Sequence, residues 1–248
     1  MALLVQQSKL DFKRAYLRNP RFFIFSLLLP IGFYLLFTKV MVSGELPVQF
    51  AVQYMLSMTT YSLILSNIFT LSTLLVDDQK AGLLALIDLS PASRFYYYGA
   101  KLINILCVNG LSIMVIFSTA AISNHLTLAS SVWWQTGLWL WIASAPLCLI
   151  GLLISFLNDS NLVQLAANLI SFPLAILSGL WWPITMLPKN VQWIGQRLPV
   201  YAINQIGQSL GTKQIVNWSL YGVTLIWTVI LAGSVVYLNY HQRGVSSK

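Results

Sequence analysis

Six runs of about 20 mostly apolar residues constrain this chain more than any other feature. They cover roughly 22–41, 52–76, 99–123, 133–157, 161–181 and 217–238. A hydrocarbon layer is crossed by about 20 apolar residues in a helix, because lipid offers no partner to an open backbone N–H or C=O. Composition agrees. Hydrophobic residues make up 57% of the 248 and charged residues only 8%, against about 25% charged in a soluble domain. The expected fold class is all-α integral membrane, with six transmembrane helices. No internal repeat or low-complexity tract divides the chain, so 1–248 reads as a single membrane domain.

Charge sets an expected orientation. With six spans both termini share one side. That side holds Lys9, Lys13, Arg14, Arg18, Arg21, Lys80, Arg94, Lys101, Arg243 and Lys248, ten in all; the other holds Lys39, Lys189, Arg197 and Lys213, four in all. The positive-inside rule then puts both termini in the cytoplasm. The net charge of +8 is read as topology and anionic lipid, with no nucleic-acid partner. Residues 1–20 interleave Leu3, Leu4, Leu10, Phe12 and Leu17 with basic residues. They fit an interfacial amphipathic helix, the alternative being a disordered basic tail. The first apolar run has no A-x-A-like cleavage site before or within it and is expected to stay as an anchor. Cys107 and Cys148 both fall in apolar runs and read as free, buried thiols.

Residues 171–201 end one apolar run and break into a Trp- and Pro-rich turn. Ser178, Gly179, Pro183, Pro188 and Pro199 punctuate it, with Trp181, Trp182 and Trp193 around it. Proline lacks an N–H, so no regular spanning helix runs through Pro183 and Pro188. Tryptophan favours the membrane boundary. The expectation is short re-entrant helices over 181–201, on the extracytoplasmic face, before the last span.

Between the second and third runs, 76–102 reads VDDQKAGLLALIDLSPASRFYYYGAKL. Leu83, Leu84, Leu86, Ile87 and Leu89 form an apolar set ringed by Asp77, Asp78, Lys80 and Asp88. Ser90-Pro91 stops that helix, and Ser93 can cap the next, which begins near Arg94. Spacing alone admits two readings: an elbow that docks a soluble partner, or an interfacial connector. Tyr96, Tyr97 and Tyr98 read either as contacts for a partner subunit or, the preferred reading, as an aromatic belt opening the third span.

Catalytic chemistry finds no purchase. His125 and His241 lie outside the runs, none of the six acids lies in the middle of one, and no Cys/His spacing suits a metal. No G-x-x-x-x-G-K-[ST] phosphate loop is present. The chain is therefore expected not to be an enzyme, with no catalytic, cofactor or metal residues. Ser66, Asn67, Asn104, Asn109, Gln164 and Asn168 place neutral polar groups in the spans. Each reads either as part of a cargo path, with Ser66 and Asn67 foremost, or as an interhelical hydrogen bond. Asp159 sits in the tight turn 158–161 and reads as a solvated helix cap.

The order of these features resembles the permease subunits of bacterial ABC-2 type ABC transporters, of the exporter class, over nearly the whole chain. The loop match is Asp77, Asp78, Lys80, Gly82, Leu86, Ser90, Pro91, Ser93 and Arg94, then Gly99 and Lys101; the late match is Pro173, Ser178, Gly179, Pro183, Pro188, Pro199 and Tyr201. Two departures stand out: Asp77-Asp78-Gln79-Lys80 replaces an often seen Glu-Arg-Glu, and Leu83 follows Gly82 where Thr is common. The resemblance implies an N-terminal elbow helix at 1–20, an ATPase-coupling loop at 77–98, and an exit-side element carrying Ser178, Gly179, Pro183, Pro188 and Pro199. It also implies a separate ATP-binding subunit in two copies, which carries ATP and Mg, and a second permease, identical or paralogous. It implies, too, a place in the bacterial plasma membrane and outward transport. Near-absence of intramembrane charge suits an apolar or amphiphilic cargo (drug, antimicrobial peptide or lipid). The alternatives are a polysaccharide or teichoic-acid precursor as cargo, or a non-transporting membrane partner with the same fold.

Overall fold

The computed structural model describes residues 21–41, 46–89 and 94–246; the expected elbow at 1–20 and the Ser90, Pro91 and Ser93 break lie outside the described residues. Every regular element described is helical. Helix α1 (Arg21–Leu35) continues as a π-helical turn, Leu36–Val40. Helix α2 (Val48–Ile64), a π-helical segment (Leu65–Thr70) and α3 (Leu71–Lys80) form one 33-residue rod. There follow α4 (Leu83–Asp88), α5 (Arg94–Asn124), α6 (Ser130–Ile142), α7 (Ala145–Ser155) and α8 (Ser160–Leu177). After a 3₁₀ turn (Ile184–Met186) come α9 (Lys189–Gly195), α10 (Pro199–Gly211) and α11 (Trp218–Ser246).

Five helical stretches among the described residues are long and apolar enough to cross a membrane: Val48–Lys80, Tyr96–Asn124, Ser130–Ser155, Ser160–Leu177 and Trp218–Tyr240. The first expected span appears as a shorter apolar helix, Ile24–Val40. The second runs past its expected ends, because Asp77 and Asp78 stay helical. The fourth is broken at Ala143–Ser144. Pro146, near the start of α7, has no N–H to give to Ile142, so α6 and α7 meet at a joint.

The α2–α3 rod is the centre of the bundle. Its apolar window is 89% buried, against 17% for α11 at the periphery. Met55, Leu56, Met58, Tyr61, Leu63 and Ile64 of α2 and Ile68 of the π segment are all enclosed, so the rod is buried on every side rather than on one face. Helices α1, α5, α8, α10 and the π segment's neighbour α7 pack around it. In lipid these contacts gain dispersion and close packing rather than the hydrophobic effect, which makes small residues and polar contacts decisive. Gly151 is one such residue: a Cβ there would collide with the Asn67 carbonyl oxygen, so α7 lies against the π segment backbone to backbone.

Helix α10 is the least expected packing element. At 13 residues it is about 20 Å long, too short to cross. Yet Val200, Ala202, Ile203, Asn204, Ile206 and Gly207 are buried between α2, α6 and α11. Trp139 Nε1 donates to Ile203 O at 2.9 Å and packs edge-on against Tyr221.

The two cysteines are free, but only Cys148 is buried; Cys107 faces outward from α5, a correction to the sequence reading. An apolar run does not say which face of its helix turns inward.

Candidate functional site

Three places concentrate polar side chains. The first is the junction of α3, α4 and α5. Gly82 adopts φ +71°, a left-handed turn open to glycine at no steric cost, and this turns the chain from α3 into α4. Asp78 faces inward. Its Oδ2 lies 2.6 Å from Lys101 Nζ and accepts from Tyr97 Oη at 3.0 Å. The Asp78 and Lys101 side chains are only 10% and 7% exposed. Lys101 also sits 5.4 Å from the Tyr97 ring centroid. Asp77 and Lys80 face the opposite way, toward the turn between α7 and α8. Ser160 Oγ donates to Asp77 Oδ1 at 3.2 Å, and Lys80 pairs with Asp159 at 3.6 Å, half exposed. Asp159 is the expected cap, accepting from the Asn161 and Leu162 amides at 2.9 and 3.0 Å. The Leu162 amide above all, with the Lys80 charge and the Asn161 amide adding to it, holds its carboxyl below the ordinary aspartate range.

On this footing α4 is fixed on one side and open on the other. Ile87 is buried with Leu71, Leu75, Tyr97 and Ile105, and Leu83 and Leu84 pack at the edge. Leu86 and Leu89 are 63% and 87% exposed. Helix α5 begins at Arg94. Two sequence expectations change here. Tyr97 is not part of an aromatic belt: it is 1% exposed and bonded to Asp78. Lys101, counted as a loop charge, is buried and paired. The spacing of Tyr97 and Lys101, four apart on one helix face, was the available signal.

The second place is the π segment. Its extra residue per turn aims Ser66 and Asn67 into the bundle together. Ser66 Oγ donates to Asn109 Oδ1 at 2.7 Å, Asn109 Nδ2 donates to Asn67 Oδ1 and to Ser144 Oγ at 3.1 Å each, and Cys148 Sγ lies 2.7 Å from Asn67 Oδ1. Ser66, Asn67, Asn109 and Ser144 are fully enclosed. The interhelical reading of Ser66 and Asn67 describes this structure. Asn104 is buried elsewhere on α5. Gln164 and Asn168 lie on the outward part of α8, where Asn168 Nδ2 bonds the Gln164 carbonyl. The six residues read as a possible path do not converge on one cavity.

A cavity does exist, at the Trp/Pro end. It holds about 350 Å³ between α2, the 178–186 turn and α10. Helix α8 ends at Ser178 in a Schellman turn: Leu180 N donates to Ala175 O and Gly179 N to Ile176 O, both at 3.0 Å, with Gly179 at φ +71°. A Cβ on Gly179 would lie 3.0 Å from Ile184 N, so the chain doubles back tightly here. Pro188 caps α9 and Pro199 opens α10, positions where a missing N–H costs nothing. Pro183 precedes the 3₁₀ turn. Trp181 packs on Phe33 at 5.3 Å, Tyr61 at 5.5 Å and Trp182 at 5.9 Å. The polar lining comes from α2 and α10. Asn204 Nδ2 donates to Ser57 Oγ at 3.1 Å, and Gln208 Nε2 donates to Ser57 Oγ at 2.9 Å. Of the expected exit-side residues, Ser178, Gly179 and Pro183 line the cavity, whereas Pro188 and Pro199 shape its surroundings. Sequence reasoning missed Gln53, Ser57, Asn204, Gln205 and Gln208. The i, i+4 pairs Gln53/Ser57 and Asn204/Gln208 each mark one helix face, but nothing in sequence brings those faces together.

The two ends lie far apart. From Gln53 to Lys80 along the α2–α3 rod is about 40 Å at 1.5 Å per residue. Among the described residues no group of three or more His, Cys, Asp or Glu could hold a metal ion.

Comparison with known proteins agrees with this architecture. The family described as ABC-2 type transporter matches residues 5–210. A Bacillus subtilis (strain 168) protein named "Putative transport permease YvfS" is 36% identical over 203 residues, covering 81% of this chain and 82% of that protein.

Proposed function

The chain belongs to the ABC-2 type transporter family as a membrane subunit, and from that premise we propose that it forms the translocation path of an ATP-driven exporter for an apolar or amphiphilic cargo. Its partner is an ATP-binding subunit, present in two copies, and it works beside a second permease. In this reading Ile24–Val40 supplies a sixth span, the termini are cytoplasmic, and α9 and α10 are the re-entrant helices of the outer face. The junction of α3, α4 and α5 then lies in the cytoplasm and receives the ATPase.

One observation carries the docking role. Helix α4 is anchored by Ile87 and by the buried Asp78–Lys101 pair beneath it, while Leu86 and Leu89 point out with nothing covering them among the described residues. A short helix so held transmits a push to the spans rather than absorbing it. The α2–α3 rod continues from that helix to the cavity, so a displacement of α4 has a route to the far end. Coupling of this kind needs a partner whose contacts differ between two states, and nucleotide-driven closure of the ATPase supplies that difference.

The test is a pull-down of the tagged chain from native membranes in mild detergent. The wild type should bring down a nucleotide-hydrolysing subunit at near-equal amount. Leu86→Asp with Leu89→Asp should lower its recovery at least about fivefold, while unfolding free energy moves by no more than about 0.5 kcal/mol, as for exposed positions. Undiminished ATPase recovery with the double variant would remove α4 as the docking element.

A further inference from the structure

The cavity at the Trp/Pro end carries recognition chemistry of its own. None of its lining residues is acidic or basic. Helices α2 and α10 contribute Gln53, Ser57, Asn204, Gln205 and Gln208, whereas the turn contributes mainly aromatic and aliphatic surface from Trp181 to Met186. Ser57 bonds both Asn204 and Gln208. The side-chain amides of Gln53 and Gln205 have no protein partner among the described residues. Around the same cavity Tyr54 Oη, Ser178 Oγ and Trp181 Nε1 are buried and have no hydrogen-bond partner among the described residues. Tyr54 is 7% and Ser178 2% exposed. Buried polar atoms are almost always paired, so three orphans flanking one cavity are groups that a bound molecule would satisfy once their side chains turn toward it.

We propose that this cavity binds an uncharged amphiphile through its amide groups, in the manner of a capped apolar peptide. The unpaired groups suit that class. Trp181 Nε1 offers only a donor, whereas Ser178, Tyr54 and the two glutamines both donate and accept. A secondary amide presents one donor and one acceptor in a plane, and its apolar flanks face the aromatic side. A sugar could stack a C–H face on the aromatic side, but its ring of hydroxyls asks for more polar partners than the turn from Trp181 to Met186 supplies, where Thr185 carries the one hydroxyl. A carboxylate or ammonium would enter a site with no counter-charge and lose its hydration. That this occupant is the exported cargo rests on the exporter reading above; the binding does not.

The experiment uses the full chain in lipid nanodiscs and measures equilibrium binding of three probes: an N-acetylated, C-amidated leucine tripeptide, the same peptide with a free carboxylate, and a neutral alkyl glucoside. The capped peptide should bind at least about tenfold more tightly than either of the others, and Gln53→Leu with Gln205→Leu should weaken it by about tenfold. Gln205→Glu keeps the side-chain shape and serves should the leucine pair not fold; it should shift preference to an amine-ended peptide. Equal binding of the three probes, or capped-peptide binding indifferent to these substitutions, overturns the proposal. ATPase recovery is read on the same preparation. Capped-peptide binding without an ATPase partner keeps the site and removes the exporter reading; a partner present with no peptide binding does the reverse.

Discussion

Replacing Lys101 with methionine tests the foundation of the α3–α5 junction. Lys101 Nζ lies 2.6 Å from Asp78 Oδ2, and both side chains are at most 10% exposed, so solvent screens the pair little. Methionine keeps much of the stem and removes the charge. The Asp78 carboxylate then sits buried without that cation, although Tyr97 still donates to it. Stripping one partner from a buried pair costs about 3–5 kcal/mol, which is about 100- to 4000-fold in the unfolding equilibrium at 1.4 kcal/mol per decade. Removing both charges is different. Asp78→Leu with Lys101→Met removes both members of the pair, and Tyr97→Phe removes the hydroxyl that donates to Asp78. That triple variant should unfold within about 1–2 kcal/mol of the wild type, or be more stable. The assay is reversible unfolding in mixed micelles, followed by circular dichroism, for the wild type, each single variant and the combined ones. A Lys101→Met cost below about 1 kcal/mol would refute the reasoning. So would single and combined variants whose effects simply add, since a true pair is strongly non-additive.

Two further outcomes follow from the geometry. Gly151→Ala should destabilise by about 1–3 kcal/mol, because its Cβ meets the Asn67 backbone rather than a side chain that can yield; Gly233→Ala on α11, with open space around it, should be neutral or stabilising by up to about 1 kcal/mol, and equal thermal shifts for the two would contradict the close α7 contact. Asp159 has its carboxyl held below the ordinary range, chiefly by the Leu162 amide, so its contribution is present above an aspartate's usual value of about 3.9 and is lost as pH falls through the depressed folded value; the gap in melting temperature between wild type and Asp159→Asn should stay level above about pH 5 and close below about pH 4, and a gap that widens on acidification would reverse the sign.

Much of the candidate machinery was legible in order but not in contact. Asp77, Asp78 and Lys80 could be picked out as a charged cluster, but not divided. A helix turns residues one apart about 100° from each other, so Asp78 enters the bundle while Asp77 meets Ser160 and Lys80 meets Asp159. Ser66 and Asn67 stood out as polar residues in an apolar run. Only the π segment, which aims both at Asn109, shows that they are bonded partners here. Gly179 and the prolines of 183–199 announced a tight reversal, and the Schellman turn and helix starts occur at them. The glutamines of α2 and α10 gave no comparable signal, because a polar residue in a short helix looks the same whether it faces water, lipid or a cavity.

By itself the sequence determined what depends on the solvent and on local backbone chemistry. Long apolar runs must be helices in a membrane, since lipid satisfies no backbone group. Proline and glycine set where those helices stop. The tertiary structure decided everything that depends on which faces meet. It buried Lys101 and Tyr97 against Asp78, turned Cys107 outward, made the α2–α3 rod central, and drew α10 beside α2 to line a neutral cavity. Periodicity fixes the spacing of side chains around one axis. Between helices that are apolar on all sides it leaves the rotation open, and close packing of small residues with paired polar groups settles it.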